Sequence, residues 1–423
     1  MSPLAGVKPR LAGFRATSRQ LKDAGHFVDV GGVSSWRARV LGPRTGFDWL
    51  VVGAGLTGAT LAERIASQLD QTVLVVDRRP HIAGNTHDPV DEHGIRVHRY
   101  GAHIFHTSSE GVWRYLSAFT DWRPYEHRVL ASVAGQLVPL PCNLNTLDAL
   151  LGEKAAAALG RTLSDVFGPG TRVPILRLIE HPDRALAELG SFLYDSLFVN
   201  YTLKQWGRRP EDLDPAVTGR VPVVIARDDR YFRDPHQALP ADGYTTMVSR
   251  MLDHDRITVA LSTDYESIRA SIRCKRLVFT GPIDEFFECV YGPLPYRSLR
   301  FEDTELPIGP YQPTAVVNYP NEYAYTRIIE HAHFAGPVTG STRITREYPE
   351  EYLPRYNEPY YPVPTESSRT LYKRYAALRA EVAPTVIFAG RLAKYRYFDM
   401  DQAVNHALQL FRREICADDL VGV

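Results

Sequence analysis

The tightest constraint on this chain is the stretch FDWLVVGAGLTG, Phe47 to Gly58. An apolar run, Trp49 to Val52, meets Gly53, Gly55 and Gly58 in G-x-G-x-x-G spacing, and a second apolar run, Thr72 to Val76, ends on Asp77. This pattern spells a strand, a tight turn, a helix and a second strand tipped by a carboxylate. The glycines let the backbone turn sharply and approach a pyrophosphate. The helix N-terminus offers free N–H groups to phosphates, and the carboxylate can bind a ribose hydroxyl. Leu56, Leu61, Ala62 and Ile65 supply the apolar helix face. Together these features predict a dinucleotide site rather than an ordinary glycine-bearing turn.

With 423 residues the chain is too long for one simple core, so two or three domains are expected. Lys+Arg and Asp+Glu both number 49, so no overall field favours nucleic acid or a membrane surface. No apolar run approaches the ~20 residues needed to span a bilayer. Cys142, Cys274, Cys289 and Cys416 lie far apart with no C-x-x-C pair, which indicates neither a disulfide scaffold nor a zinc site and fits a reducing cytoplasm. Residues 1–46 are basic with little apolar periodicity. They read as a poorly ordered extension, or alternatively as a docking arm.

Beyond Asp77, the small-residue turn Ala83-Gly84-Asn85 is typical of FAD-binding chains, where backbone passes close to the cofactor. Next come His98, His103 and His106 around Gly101. Three histidines in so short a stretch invite a metal reading. They lack a carboxylate at ligand spacing, so a loop lining the cofactor is preferred and no metal is expected. Residues 126–141 alternate around Gly135 and predict a hairpin. Over 145–200 leucines recur at three- and four-residue spacing, predicting a small helical domain. From Leu299 to Tyr348 short alternating runs predict an antiparallel sheet with one wet face. TVIFAGR, 385–391, reads as a last strand, and Ala403, Val404, Ala407, Leu408 and Phe411 mark an amphipathic helix. Its N-terminus can stabilise negative charge on a reduced flavin ring.

GAGLTG, AGN and HRYGAHIFHT together resemble flavin-dependent UDP-galactopyranose mutase, a likeness that can be followed from about Phe47 to about Arg413. The resemblance places His103 beside the flavin. It extends to YTLKQW, so that Phe198, Tyr201 and Trp206 match substrate-binding residues and Arg220, on a mobile loop at about 206–222, matches one of two arginines gripping a diphosphate. Tyr231, Tyr361 and Tyr397 match further diphosphate contacts, Arg327 in Y-T-R-I matches the second gripping arginine, and Asn318 and Arg297 match residues near sugar and flavin. Arg391, Asp399 and Met400 fall in the segment RLAKYRYFDM, whose family form is G-R-L-G-T-Y-R-Y-L-D-M, and match the last cofactor contacts. One departure stands out: Val224 occupies the place of a family arginine, and Arg227 is a candidate to compensate.

The fold implied is α/β. An FAD-binding Rossmann-like domain is formed by 47–122, 243–295 and 366–423, with a helical domain inserted over 145–223. An antiparallel β-sheet domain is formed by 123–144, 224–242 and 296–365. The resemblance further implies that reduced FAD is itself the nucleophile, its N5 attacking the anomeric carbon of a nucleotide sugar. The enzyme would then interconvert pyranose and furanose forms after activation by an external reductant such as NAD(P)H, as a cytoplasmic homodimer. No G-x-S-x-G or activated-cysteine pattern supplies a side-chain nucleophile. A mutase for another NDP-hexose, a flavin amine oxidase-like enzyme and a non-catalytic nucleotide-sugar binder remain open.

Overall fold

The structure is a computed structural model describing residues 46–214, 222–336 and 340–416. The expected extension up to residue 45, and Arg220 with residues 215–221 of its loop, lie outside the described residues.

Five strands form a wholly parallel sheet in the order Ile257–Ala260, Val73–Val76, Gly46–Val52, Arg273–Phe279, Val386–Phe388. The strands Val73–Val76 and Val386–Phe388, and the ends Trp49–Val52 and Leu277–Phe279, read as continuous apolar runs because both faces are covered. On one face Trp49, Val51, Val73 and Val75 pack with the helices Leu56–Leu69 and Met400–Leu410. On the other, Leu50, Leu74, Val76, Phe279 and Phe388 form a second core with Tyr375 of the helix Glu366–Val382. Each large apolar side chain so buried contributes roughly 1.5–3 kcal/mol, which fixes the strand that delivers the glycine turn.

The region 144–206 is helical, as its leucine spacing predicts: Leu144–Leu151, Glu153–Phe167, Ile175–Ile179, Arg184–Tyr194 and Asn200–Trp206. The expected hairpin pairs Val129–Val133 with Gln136–Leu140 across Ala134 and Gly135, both at positive φ. That turn matches the right-handed strand twist.

A seven-stranded sheet runs Tyr361–Pro362, Tyr296–Leu306, Thr342–Glu351, Arg327–Glu330, Val316–Asn318, Val129–Val133, Gln136–Leu140. It is antiparallel except where Val316–Asn318 meets Val129–Val133 in parallel, because that hairpin is brought in from a distant part of the chain. The strand His236–Pro240, expected in this sheet, instead lies between Phe105–Thr107 and Trp122–Pro124 in a separate three-stranded sheet. Val224, likewise assigned to that sheet domain, instead pairs, together with Val223, with Arg172–Val173 of the helical region.

Candidate active site

The glycine turn is shaped so that side chains are excluded. Gly53 has φ +104°, and a Cβ there would stand 2.0 Å from Thr280 Oγ1; one on Gly58 would stand 1.9 Å from the Gly53 carbonyl oxygen. A Cβ on Gly84 would meet the Cα of Gly55 at 2.9 Å, so the two glycine turns touch backbone to backbone. Asp77 is held at the strand tip by N–H donors from Ala54 (2.8 Å) and Arg79 (2.9 Å). The helix Leu56–Leu69 has neither a side-chain cap nor an acid in its first turn, leaving its N-terminal N–H groups for an anion.

These residues open a cleft of about 320 Å³. It runs from Asp77 past Gly53, Gly55, Gly58, Gly84 and Asn85 to His103, Arg391, Asp399 and Met400. Asn85 Oδ1 accepts from Arg79 Nη1 at 2.9 Å, and Arg79 is in turn paired with Glu358. At the far end Asp399 caps the helix Met400–Leu410, whose N-terminus faces the cleft. A backbone-lined cradle with an acid at one end and a helix N-terminus at each turn fits an FAD-type dinucleotide.

His103 stands where this cleft meets a second group of residues. Its Nδ1 donates to Gly101 O at 2.8 Å, which leaves Nε2 as the acceptor. Burial, with Arg391 and Arg327 nearby, pushes it down to about 4, so the ring is neutral at neutral pH. The other two histidines of the cluster are separately engaged: His98 Nδ1 accepts the His103 N–H at 3.0 Å, and His106 Nδ1 lies 2.8 Å from Asp234.

Next to His103 the aromatic residues form a row. Tyr361 stacks on Tyr397 with centroids 5.9 Å apart, Trp206 stands 6.2 Å from Tyr361, and the Arg391 guanidinium lies 5.0 Å over Tyr397 and 5.4 Å over Tyr361. Arg391 is aimed by donating to Phe398 O at 2.8 Å. Arg327 enters from the sheet and donates to Tyr201 Oη at 2.6 Å. Burial opposes its charge, but Glu347 beside it holds the guanidinium protonated. Glu347, 2 % exposed, has its Oε1 3.3 Å from Arg327 Nε, without hydrogen-bond geometry between them. Its Oε2 would lie 3.2 Å from a Cβ on Gly101, so this buried carboxylate sits between Arg327 and the His103 turn.

Asn318 is Arg327's direct cross-strand neighbour, and its Oδ1 is buried without a hydrogen-bond partner. Cross-strand neighbours in an antiparallel pair share a face. Tyr231 is fixed by donating its N–H to His127 O at 2.8 Å. Phe198 is buried, its ring 6.3 Å from Tyr194. Arg297 donates through Nε to Gln205 O (3.0 Å) and through Nη2 to Lys204 O (3.1 Å), capping the helix that carries Tyr201 and Trp206. Arg227 is bound to Asp148 and Asn145 on the surface, away from the tyrosine row, and Val224 is buried opposite Arg172. Sequence reasoning missed Glu347, which sits in an alternating strand where charged residues are ordinarily solvated. It also missed Thr280, whose hydroxyl donates to Val52 O beside the glycine turn.

Comparison with known proteins agrees with this geometry. The sequence profile of UDP-galactopyranose mutase matches residues 196–397, and that of an NAD(P)-binding Rossmann-like domain matches residues 51–119. A probable UDP-galactopyranose mutase of Klebsiella pneumoniae is 35% identical over 362 residues, 85% of this chain and 92% of that protein. A dTDP-fucopyranose mutase of Escherichia coli is 33% identical over 371 residues, 85% of this chain and 96% of its own length. A crystal structure of reduced UDP-galactopyranose mutase superposes with a TM-score of 0.66 at 14% identity, covering 89% of this chain and 94% of that one, which shows the shared fold. On the identity and coverage of these relatives, the chain belongs to the UDP-galactopyranose mutase family, an isomerase family.

Proposed function

We propose that this enzyme interconverts the pyranose and furanose forms of a nucleotide-activated hexose, UDP-galactose first among them, with FAD in its reduced form. The observation that carries this is the meeting of two sites at His103: a cradle for a dinucleotide on one side, and on the other a row of tyrosines with Arg327 and Arg391. Reduced FAD, when bound, supplies the nucleophile that the side chains lack. Gly53, Gly55, Gly58, Asp77, Gly84 and Asn85 would hold its adenosine diphosphate part. His103, Arg391, Asp399 and Met400 would border the ring.

The protein's own residues bind, orient and neutralise. Arg327, kept charged by Glu347 and braced on Tyr201, offers a planar fork to a diphosphate. Tyr231, Tyr361 and Tyr397 supply hydroxyls around it; burial raises Tyr361 well above its usual range, so it remains a donor at neutral pH. Tyr201 and Trp206 would pack the uridine. A leaving nucleotide held by these groups stays in place for its return to the sugar. The dTDP-fucopyranose mutase among the relatives favours a second substrate class, a deoxyhexose on a different nucleotide, which the same diphosphate clamp would accept.

The test is turnover of UDP-galactofuranose by the purified yellow protein after reduction with dithionite or NAD(P)H, alongside the dTDP-fucose pair. Activity only in the reduced state is expected. Equal turnover by oxidised and reduced enzyme would remove the flavin from the chemistry, and a folded, colourless protein that takes up no FAD would remove the cofactor.

A further inference from the structure

The Lys204 side chain belongs to none of the contacts described so far. It lies one helical turn beyond Tyr201, and its Nζ donates to three carbonyls of the connector between the strands Val316–Asn318 and Arg327–Glu330. The acceptors are Tyr319 O (2.5 Å), Tyr323 O (2.9 Å) and Tyr325 O (3.2 Å). Three carbonyls converging on one point match the three N–H donors of an ammonium and no neutral side chain. The same helix grips the same connector a second time. Asn200 Nδ2 donates to Asn321 Oδ1, and Asn321 Nδ2 donates back to Ser196 O, both at 3.0 Å. The contacts close a ring: Tyr201 to Arg327 by hydrogen bond, Arg327 to the connector by the chain, the connector to Lys204, and Lys204 to Tyr201 by one turn of helix.

We propose that Lys204 is a positioning residue whose ammonium, by caging these three carbonyls, sets Tyr201 and Trp206 against Arg327 and so sets the affinity for the nucleoside diphosphate part of the substrate. The proposal rests on the nucleotide-sugar function above. Burial lowers Lys204 to about 8, with Glu322 opposing, so the cage loses its charge within reach of ordinary buffers. The other groups facing it keep their charge state there. Burial raises Tyr319, and raises Tyr325 and Tyr201 to about 12; Arg297, bound to the Lys204 carbonyl, stays charged. A neutral amine has two N–H donors for three carbonyls and no charge to assist them, so affinity falls as pH rises through the Lys204 value.

The experiment measures UDP binding to the FAD-loaded protein by calorimetry at about pH 7 and about pH 8.5, with flavin content and Tm followed in parallel. Wild type is expected to bind severalfold more weakly at the higher pH. Lys204→Arg, charged throughout, should bind with one affinity at both. Lys204→Met should bind about tenfold or more weakly at both, with KM raised and kcat little changed. Equal UDP affinity in wild type and Lys204→Met overturns the proposal. So does an unchanged pH dependence in Lys204→Arg, which also decides the matter if the methionine variant does not fold. A wild-type enzyme that binds no UDP at either pH overturns the nucleotide-sugar function itself, and the Lys204 proposal with it.

Discussion

The two halves of the candidate active site are built from different materials. The cofactor cleft is made of backbone: glycine turns in van der Waals contact, uncapped helix N–H groups and one strand-tip carboxylate. The cluster around Arg327 is made of side chains from segments scattered between residues 201 and 397, several of them held by one another. A site of backbone tolerates almost any neighbouring side chain but no added Cβ. A site of side chains tolerates backbone adjustment but not the loss of a partner. The two halves should therefore fail differently when altered.

Gly58→Ala should have the largest effect. Its methyl would stand 1.9 Å from a backbone oxygen that cannot retreat without moving the turn, so destabilisation of ~3 kcal/mol or more is expected. The measurement is flavin content and Tm; a yellow, stable Gly58→Ala protein would show that the backbone cradle is looser than its geometry. Arg327→Ala comes next. Losing one member of a buried charge-assisted set costs ~2–5 kcal/mol, roughly a 30- to 5,000-fold fall in kcat/KM, with FAD still bound. Part of that loss is Glu347 left unpaired, so adding Glu347→Gln to Arg327→Ala should recover stability but not activity. Loss of flavin from Arg327→Ala would collapse the distinction between the two halves.

Two buried histidines outside the cofactor cleft, His127 and His331, add a test through pH. Burial lowers His127 to about 3 and His331 to about 4 in the folded state, below their unfolded value near 6.5. The unfolded chain then binds more protons, so stability is present above about pH 6.5 and falls as pH drops towards 4. The slope is roughly 1 kcal/mol per pH unit for each histidine. A Tm that stays level between those values would contradict this. Arg227→Ala should do least. Its exposed ion pair with Asp148 lies apart from the tyrosine row, and kcat/KM is expected to change by less than about twofold. A large loss would restore Arg227 to the role suggested by the departure at Val224.

Legibility in the sequence follows the same division. The glycine spacing, the carboxylate at Asp77 and the apolar helix face lie within one βαβ unit, where function depends on local backbone conformation. The hairpin turn at Gly135 and the helical run 144–206 were legible for the same reason. Arg297 shows the limit. A motif brings it near the sugar and flavin, while the folded chain spends its donors on the carbonyls of the helix end at Lys204 and Gln205. Strand assignment was partly legible as well. Residues 224–242 were expected in the antiparallel sheet domain, yet His236–Pro240 pairs with Phe105–Thr107 and Trp122–Pro124, which no local pattern names.

The sequence by itself determined the glycine-turn cradle, the helical insert and the residue types of the proposed diphosphate clamp. Each of these is written in spacing, in glycine's freedom at positive φ, or in a motif read in one piece. Tertiary structure alone decided that Glu347 is buried against Arg327, that Arg227 faces Asp148, and that Lys204 cages three carbonyls. Charge pairing inside a protein depends on which distant segments bury each other, and no local pattern carries that information.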